Sequence, residues 1–306
     1  MKCIFSVDVE DWFHTLDLPS TPDLSEWDLL PSRVETNFMR LLDLFSEKQV
    51  HVTCFFLGWV AQKFPHLVRE AAQRGHEVAS HGNAHRLVYE MTPQEFRDDA
   101  VTSKKILEDI LGCPISGYRC AGFSVTGKTP WFFTKLIEAG YKYDSSVFPG
   151  PRGHGGLSNG HCAPYRIGSP ANGLVEFPIT TTRMLGVPMC FFGGGYLRFF
   201  PSLFIENMTL RVLREGRPVI FYVHPREIDP HHPRLPMNLR RKFKCYVNLK
   251  TTEAKIKRVL AEFEVTTFRA FIDDHIGPFA SIPEEPLALP GPVASTGNEK
   301  LEVEPV

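Results

Sequence analysis

The chain alternates short apolar runs with longer segments whose apolar residues recur at helical spacing. Seven of the runs are rich in β-branched and aromatic residues and predict strands. They cover residues 2–7, 51–57, 77–79, 115–119, 141–147, 174–179 and 218–223. The segments that predict helices are 32–45, 60–75, 92–112, 129–140, 200–215 and 252–263. This order predicts an α/β fold with parallel strands, in a barrel or a doubly wound sheet.

Two of the predicted helices begin with a capping-box pattern, in which Ser or Thr is followed three residues later by Glu. One is Ser32 with Glu35, and the other is Thr92 with Glu95, where Pro93 takes the first helical position. Three helices are predicted to stop at a glycine, at Gly75, Gly112 and Gly140.

Two segments depart from this periodicity. Residues 149–173 are rich in Gly and Pro and predict a long loop, either a cover or a rim for a substrate. Residues 280–306 are rich in Pro and Glu and predict a disordered tail. We therefore expect one domain over residues 1–279.

Composition narrows the function classes. The net charge of −1 over 306 residues gives no overall attraction to nucleic acid or to an anionic membrane. The seven cysteines lack CxxC spacing, which predicts free thiols in a reducing compartment. The first apolar run is cut short by Asp8, so it is no secretory signal, and no run approaches the roughly 18 apolar residues of a membrane span. These features predict a cytoplasmic protein.

Polar residues directly follow four of the predicted strands. They are Asp8, Glu10 and Asp11 after the first strand, His81 after the third, Arg119 after the fourth and His224 after the seventh. In parallel α/β folds the functional site lies at the carboxyl ends of the strands. The sequence therefore predicts that these side chains meet there.

His81 and His85, four residues apart, suit a metal site because this spacing can place both imidazoles on one side. Two imidazoles and one carboxylate bind a divalent metal and leave positions open for water and substrate. Such a metal polarises a carbonyl and acidifies a water, and a second carboxylate can accept a proton. The alternative is two unrelated surface histidines beside a solvated acidic turn. Three adjacent carboxylates would, however, repel one another without a cation.

Three further residues allow both a functional and a structural interpretation. His224 could protonate a leaving amine, or could simply pack beside the barrel mouth. Arg119 and Asp144 could form a pair that orients the acid or base, or a plain salt bridge between neighbouring strands.

Several separate motifs, in order, resemble the polysaccharide deacetylase family, also called NodB-homology or carbohydrate esterase family 4. They are the segments 7–14 (VDVEDWFH), 80–85 (SHGNAH), 117–119 (GYR), 143–146 (YDSS), 193–196 (GGGY) and 224–230 (HPREIDP). The closer resemblance is to the branch associated with exopolysaccharide and exosortase loci, which has an extra C-terminal region, here about 150–279. It implies a distorted (β/α) barrel with about seven strands. It also implies a divalent metal, zinc first and cobalt or nickel as alternatives, and hydrolysis of an acetamide on an N-acetylated sugar.

Carried over by position, the resemblance makes His81 and His85 metal ligands and His224 the general acid. Arg119 would orient the base, and Asp144 would support the catalytic histidine. The first motif can be matched in two ways. Adjacent acids would make Glu10 the base and Asp11 the ligand, whereas acids two apart would make Asp8 the base and Glu10 the ligand. We take Asp11 as the ligand and keep Asp8 and Glu10 in the catalytic set.

The segment after Arg119 departs from the family pattern. Residues 120–123 read Cys-Ala-Gly-Phe where the family has a proline-containing segment that helps to form the oxyanion site. The first hypothesis is a cytoplasmic deacetylase of an N-acetyl-hexosamine in a polysaccharide precursor, which a polysaccharide-synthesis complex could recruit. The alternatives are an allantoinase-like hydrolase of a non-sugar amide and a catalytically inactive sugar-binding barrel.

Overall fold

The structure is a computed structural model that describes residues 2–16, 18–150, 155–157, 161–169, 172–184, 186–276 and 284–285. The strands are β1 (Cys3–Val9), β2 (Thr53–Phe56), β3 (Glu77–Ser80), β4 (Gly117–Tyr118), β5 (Tyr143–Asp144), β6 (Tyr165–Ile167), β7 (Leu174–Glu176), β8 (Thr182–Met184), β9 (Val187–Met189), β10 (Ile220–Val223), β11 (Val265–Thr266) and β12 (Glu284–Glu285). The helices are α1 (Val34–Glu47), α2 (Gly58–Lys63), α3 (Pro65–Gln73), α4 (Pro93–Leu111), α5 (Phe132–Glu138), α6 (Gly194–Phe199), α7 (Ser202–Arg214), α8 (Leu239–Tyr246), α9 (Thr252–Glu262) and α10 (Phe268–Phe271).

One large sheet carries the fold. Its strand order is β10-β1-β2-β3-β4-β5-β7-β6-β12, and β11 also pairs with β1. The run from β10 to β7 is parallel throughout and contains the strands that the sequence predicts, whereas β6 is antiparallel to β7. The sheet curls into a half-barrel flanked by helices. The predicted distorted (β/α) barrel with about seven strands is confirmed.

The apolar core lies between this sheet and the helices that connect its strands. Every residue of β1 is buried, because the strand has neighbours on both edges and is covered on both faces. Phe5 packs edge-on against Phe45 of α1 and stacks on Phe221 of β10. The burial of these aromatic side chains packs β1 firmly between α1 and its neighbouring strand β10.

Several element boundaries differ from the prediction. Residues 60–75 form two helices, α2 and α3, because Pro65 lacks the N–H that a continuous helix needs and instead opens α3. The predicted helix 200–215 begins at Ser202 and is preceded by the separate helix α6. The predicted loop 149–173 contains β6. The helix α8 and the β8–β9 hairpin had not been predicted.

The two predicted capping boxes have different outcomes. The one at Thr92 and Glu95 is confirmed. The one at Ser32 and Glu35 is wrong, since α1 follows Arg33 and lacks a side-chain cap from its own sequence. The reason is that the carboxylate of Asp11, in the turn after β1, caps the helix instead.

Asp11 is this remote cap of α1. Its carboxylate accepts hydrogen bonds from the N–H groups of Arg33 (2.9 Å) and Val34 (3.2 Å) and from the Ser32 hydroxyl (2.5 Å). It also accepts the N–H of Trp12 at 2.8 Å. A negative charge at a helix N-terminus is favourable because the free N–H groups of the first turn point at it.

None of the helices in the described part of the chain is long and apolar enough to cross a membrane. The predicted tail, residues 280–306, lies outside the described residues except for 284–285. The predicted single domain over residues 1–279 stays a prediction. Strands from both halves of this range nevertheless pair in the same sheet.

Replacing Asp11 by Ala should destabilise the protein by about 2–4 kcal/mol, because buried N–H groups of the first turn of α1 lose their acceptor. Ser32→Ala removes only one donor and should cost about 1 kcal/mol. Urea denaturation followed by circular dichroism measures both free energies of unfolding. A loss below about 1 kcal/mol for Asp11→Ala would contradict the capping role.

Candidate metal centre and active site

The carboxyl ends of β1, β3, β4 and β10 bring most of the predicted site residues together at one buried edge of the sheet. The register of the paired strands explains why these side chains lie together. Val7 of β1 is paired with Val223 of β10, so Asp8 and His224, the next residues along, are neighbours. On the other side, Ser80 of β3 is paired with Tyr118 of β4, so His81 and Arg119 leave the sheet side by side.

Glu10, His81 and His85 form a buried cluster whose ligand atoms all lie within 4.8 Å of one another. Glu10 follows β1, His81 follows β3, and His85 ends the short loop after β3. The backbone of His85 has a φ of +52°, in the left-handed region that few non-glycine residues adopt. This turn brings the second imidazole back toward the first.

The chemistry of these three side chains fits a divalent cation. The carbonyl of Arg119 accepts a hydrogen bond from Nδ1 of His81 at 2.9 Å, which leaves Nε2 of that ring as a lone-pair donor. Burial lowers the pKa of His81 to about 4, so the ring is neutral near pH 7. Two imidazoles and a carboxylate are the donor set of many open zinc sites.

The carboxylate of Glu10 also fits a bound divalent cation. Burial alone would raise the pKa of Glu10, but the charges of His85 and His224 hold it below its ordinary value, so the carboxylate is ionised. Its buried Oε2 lies 2.6 Å from His85 Nε2, and no other described residue donates a hydrogen bond to that oxygen. A buried anionic oxygen facing imidazole nitrogens is an arrangement that a bound cation satisfies.

Asp8 lies beside this cluster and is paired with Arg119. Its Oδ1 is 2.7 Å from Arg119 Nη1. The Arg119 guanidinium is fully buried and also donates to the Ser6 hydroxyl (2.8 Å) and the Ser145 carbonyl (3.2 Å). It lies 4.1 Å from the centre of the Phe55 ring. These contacts fix the orientation of the Asp8 carboxylate.

His224 faces both carboxylates from β10. Its Nε2 is 3.4 Å from Glu10 Oε1 and 3.8 Å from Asp8 Oδ2. Burial would lower the pKa of His224, but the negative charges of Glu10, Glu227 and Asp8 outweigh it and raise the pKa above the ordinary value. The protonated imidazole is therefore favoured, as a general acid requires.

Glu227 and Arg198 support His224, and sequence reasoning missed both. His224 Nδ1 donates to Glu227 Oε1 at 3.1 Å, and the same oxygen lies 2.8 Å from Arg198 Nη1. Glu227 stands three residues after His224 in a short helical turn, so the His-Pro-Arg-Glu spacing carried a usable signal. The sequence around Arg198, on α6, gives no comparable indication of its role.

Asp144 is not brought to His224. It is fully buried on β5, where its Oδ1 accepts a hydrogen bond from the Ser146 hydroxyl at 2.6 Å. Burial raises the pKa of Asp144 to about 6, and Glu176 on the paired strand has its pKa raised in the same way. Ser146 Oγ accepts the N–H of Cys120 at 2.8 Å. Asp144 thus positions the segment after Arg119, whose guanidinium is paired with Asp8 instead.

Asp11 is also placed away from the two histidines, because it caps α1 as described above. Strand alternation explains the difference, since Asp8 and Glu10 leave β1 on one face and Asp11 turns to the other. His14 is a further residue that sequence reasoning missed. Its Nδ1 accepts the N–H of Asp11 at 2.9 Å, and its ring centre lies 5.7 Å from that of His85.

Comparison with known proteins identifies two family regions. Residues 17–143 match the polysaccharide deacetylase family, and residues 145–273 match a domain of unknown function, DUF3473. A peptidoglycan-N-acetylglucosamine deacetylase of Bacillus cereus is 30% identical over 73 residues, which are 24% of this chain and 26% of that protein. The chain covers less than half of the length of the curated relatives it matches.

Solved structures show the same fold. A Pseudomonas aeruginosa PAO1 protein assigned as a polysaccharide deacetylase superimposes with a TM-score of 0.58 at 18% identity, covering 89% of this chain and 91% of that one. A Mycobacterium smegmatis protein with the same assignment gives a TM-score of 0.57 at 19% identity, covering 90% and 91%. The chain thus combines a region similar to polysaccharide deacetylases, residues 17–143, with a DUF3473 region that follows it, residues 145–273.

Proposed function

We propose that the protein is a metal-dependent hydrolase that removes the N-acetyl group from an N-acetyl-hexosamine in a polysaccharide or its precursor. The observation that carries this proposal is the position of the Glu10, His81 and His85 cluster directly beside Asp8 and His224. A hydrolase of amides needs a group that takes a proton from water and a group that gives one to the leaving amine. Both are within reach of the same buried cluster.

Glu10, His81 and His85 would hold the metal, so we propose Glu10 in place of Asp11 as the carboxylate ligand. Zinc is our first choice because two imidazoles and one carboxylate suit it, with cobalt and nickel as alternatives. When bound, such an ion polarises the acetamide carbonyl and lowers the pKa of a water.

Asp8 is the proposed general base. Its Oδ1 is held by Arg119, so Oδ2 remains the oxygen that faces the cluster and His224. In the proposed reaction Asp8 takes a proton from the water that adds to the acetyl carbonyl carbon. Because Arg119 restrains the carboxylate through one oxygen only, the other keeps its capacity to accept that proton.

His224 is the proposed general acid. Its Nδ1 proton is committed to Glu227, so the proton on Nε2 is the one that can be donated. As the C–N bond breaks, this proton goes to the departing amine nitrogen, which yields acetate and a free amino sugar. Arg198 neutralises Glu227 on its far side and keeps it ionised and oriented.

The backbone after Arg119 offers less support to an oxyanion than the family pattern implies. The N–H of Cys120 donates to Ser146 Oγ and so does not face an oxyanion. Gly122, at a φ of +63°, keeps a left-handed turn there. That the reaction takes place in the cytoplasm, on a precursor made for exopolysaccharide, remains a prediction from the sequence.

Metal-loaded protein should release acetate from N-acetylglucosamine oligosaccharides, and Asp8→Asn should lower kcat by about 10²–10⁴-fold while metal content stays unchanged. Acetate release and elemental analysis on the same preparations measure both. Because Asp8→Asn leaves the buried Arg119 charge unpaired, Asp8→Glu serves as a second variant that keeps this charge but displaces the base. Circular dichroism of both variants reports whether they fold.

The same assay separates the competing functions. Release of product from allantoin-like amides, with sugars unreacted, would favour the non-sugar hydrolase. A metal-loaded, folded wild type that cleaves neither class would contradict the hydrolase proposal and favour a sugar-binding barrel.

Glu227→Gln should lower kcat by about 10–100-fold with little change in KM, because Glu227 acts through His224 and not on bound substrate. The same substitution made in His224→Ala should change kcat by less than about twofold, since the group that it supports is already missing. Steady-state kinetics of the two single variants and the double variant measure this coupling. Additive losses would show that Glu227 acts independently of His224.

A further inference from the structure

Helix α8 lacks the buried face that the longer helices of the described chain have. None of its eight residues is buried, whereas α1, α3, α4, α7 and α9 each bury one apolar stripe. Leu239 and Phe243, one turn apart, are 84% and 54% exposed. The Phe243 ring lies 5.5 Å from that of Phe199 on α6, which is also exposed. We call Leu239, Phe243 and Phe199, with the cations of α8, the α8 patch.

Positive charge is concentrated around these apolar side chains. The whole chain has 34 Lys and Arg against 35 Asp and Glu. Residues 230–252, in contrast, contain six Lys or Arg and no Asp or Glu. On α8 itself, Arg240, Lys242 and Lys244 are exposed and form no ion pair with another residue that the structure describes. The net charge of the whole chain is close to zero, but residues 230–252 carry a local excess of positive charge.

The protein holds this helix in place although none of its residues is fully buried. The Asn238 side chain caps its first turn by accepting the N–H of Arg241 at 2.9 Å. At the other end, Arg198 Nη2 donates to the carbonyls of Lys244 (2.8 Å) and Cys245 (3.0 Å). An isolated helix of eight residues is unstable in water, so these contacts preform it.

We propose that the α8 patch binds the surface of an anionic membrane. Exposed apolar side chains on one stripe, flanked by Lys and Arg, form the pattern of helices that lie in the lipid interface. The cations complement lipid phosphates and carboxylates, and the apolar stripe enters the boundary of the acyl chains. The net charge of −1 had predicted no such attraction, but that value averages over an uneven surface.

Other occupants fit the α8 patch less well. A nucleic acid would favour cations that follow its backbone, and the exposed stripe between these cations is aliphatic and aromatic. A stable interface between two copies buries about 800 Å² per partner, which the face of a helix about 12 Å long does not supply. Binding to a lipid surface, in contrast, does not require a large complementary protein interface.

Membrane binding would place the catalytic site close to the lipid surface. Arg198, which holds the C-terminal end of α8, also pairs with Glu227, the partner of His224. A sugar linked to a lipid carrier would meet the site there. This last step rests on the proposed function, whereas the binding of α8 to lipid does not.

Sedimentation of the full chain with lipid vesicles tests the proposal. The protein should bind phosphatidylcholine vesicles that contain phosphatidylserine, should release them as salt rises, and should leave pure phosphatidylcholine vesicles unbound. The triple variant Arg240→Gln, Lys242→Gln, Lys244→Gln should bind on the order of 100-fold more weakly, about fivefold per charge. The matched control Arg69→Gln, Lys128→Gln, Lys142→Gln, which changes exposed cations on α3, in the loop before α5 and directly before β5, should bind as the wild type.

The apolar stripe has its own control. Leu239→Ser with Phe243→Ser should weaken vesicle binding, whereas Leu29→Ser, at an equally exposed leucine, should not. The proposal is overturned if the wild type ignores anionic vesicles, if it binds neutral vesicles equally well, or if the α8 triple variant binds as the control does. Self-association that disappears in the Leu239 and Phe243 variant would also overturn it, by assigning the patch to a second copy. Acetate release from a soluble N-acetylated sugar, measured on the same preparations, reports separately on the proposed function.

Discussion

The buried guanidinium of Arg119 and its pairing with Asp8 constrain everything else in the site. Removing these two charges from water costs several kcal/mol each, so neither can be buried there without the other. Arg119 also acts through its backbone, because its carbonyl fixes the ring of His81. One residue, directly after β4, thus orients both the proposed base and one proposed metal ligand. The pairing of β1 with β2, β3 and β4 is what brings these partners within reach.

Site residues come from three parts of the chain. Asp8 and Glu10 precede both matched family regions, His81, His85 and Arg119 lie in the deacetylase region, and His224 and Glu227 lie in the DUF3473 region. They meet because β10 pairs in parallel with β1, which brings His224 next to Asp8. The DUF3473 region therefore supplies the proposed general acid together with its ionic support, and it also carries α8.

The sequence predicted seven of the strands, their parallel direction and the edge where the candidate site lies, because strand periodicity and strand ends leave a local signal. It could not separate Glu10 from Asp11, since both are acids that follow the same strand and only the position of α1 decides which one caps it. It also missed Arg198, whose role depends on a contact with Glu227 across 29 positions of sequence. Asp144 shows the same limit, because the pairing of β5 with β7 places it beside Glu176, a neighbour that the sequence does not reveal. Helix α8 was missed because a helix without a fully buried residue leaves no apolar periodicity of the kind that faces a core.

The metal content of Glu10→Gln, measured beside that of Asp11→Asn, tests the central claim most directly. We predict about one divalent ion per chain in the wild type and in Asp11→Asn, and close to none in Glu10→Gln, because in the described part of the chain Glu10 is the carboxylate that lies with the two histidines. Retention of the ion by Glu10→Gln with its loss from Asp11→Asn would contradict the account and restore Asp11 as the ligand.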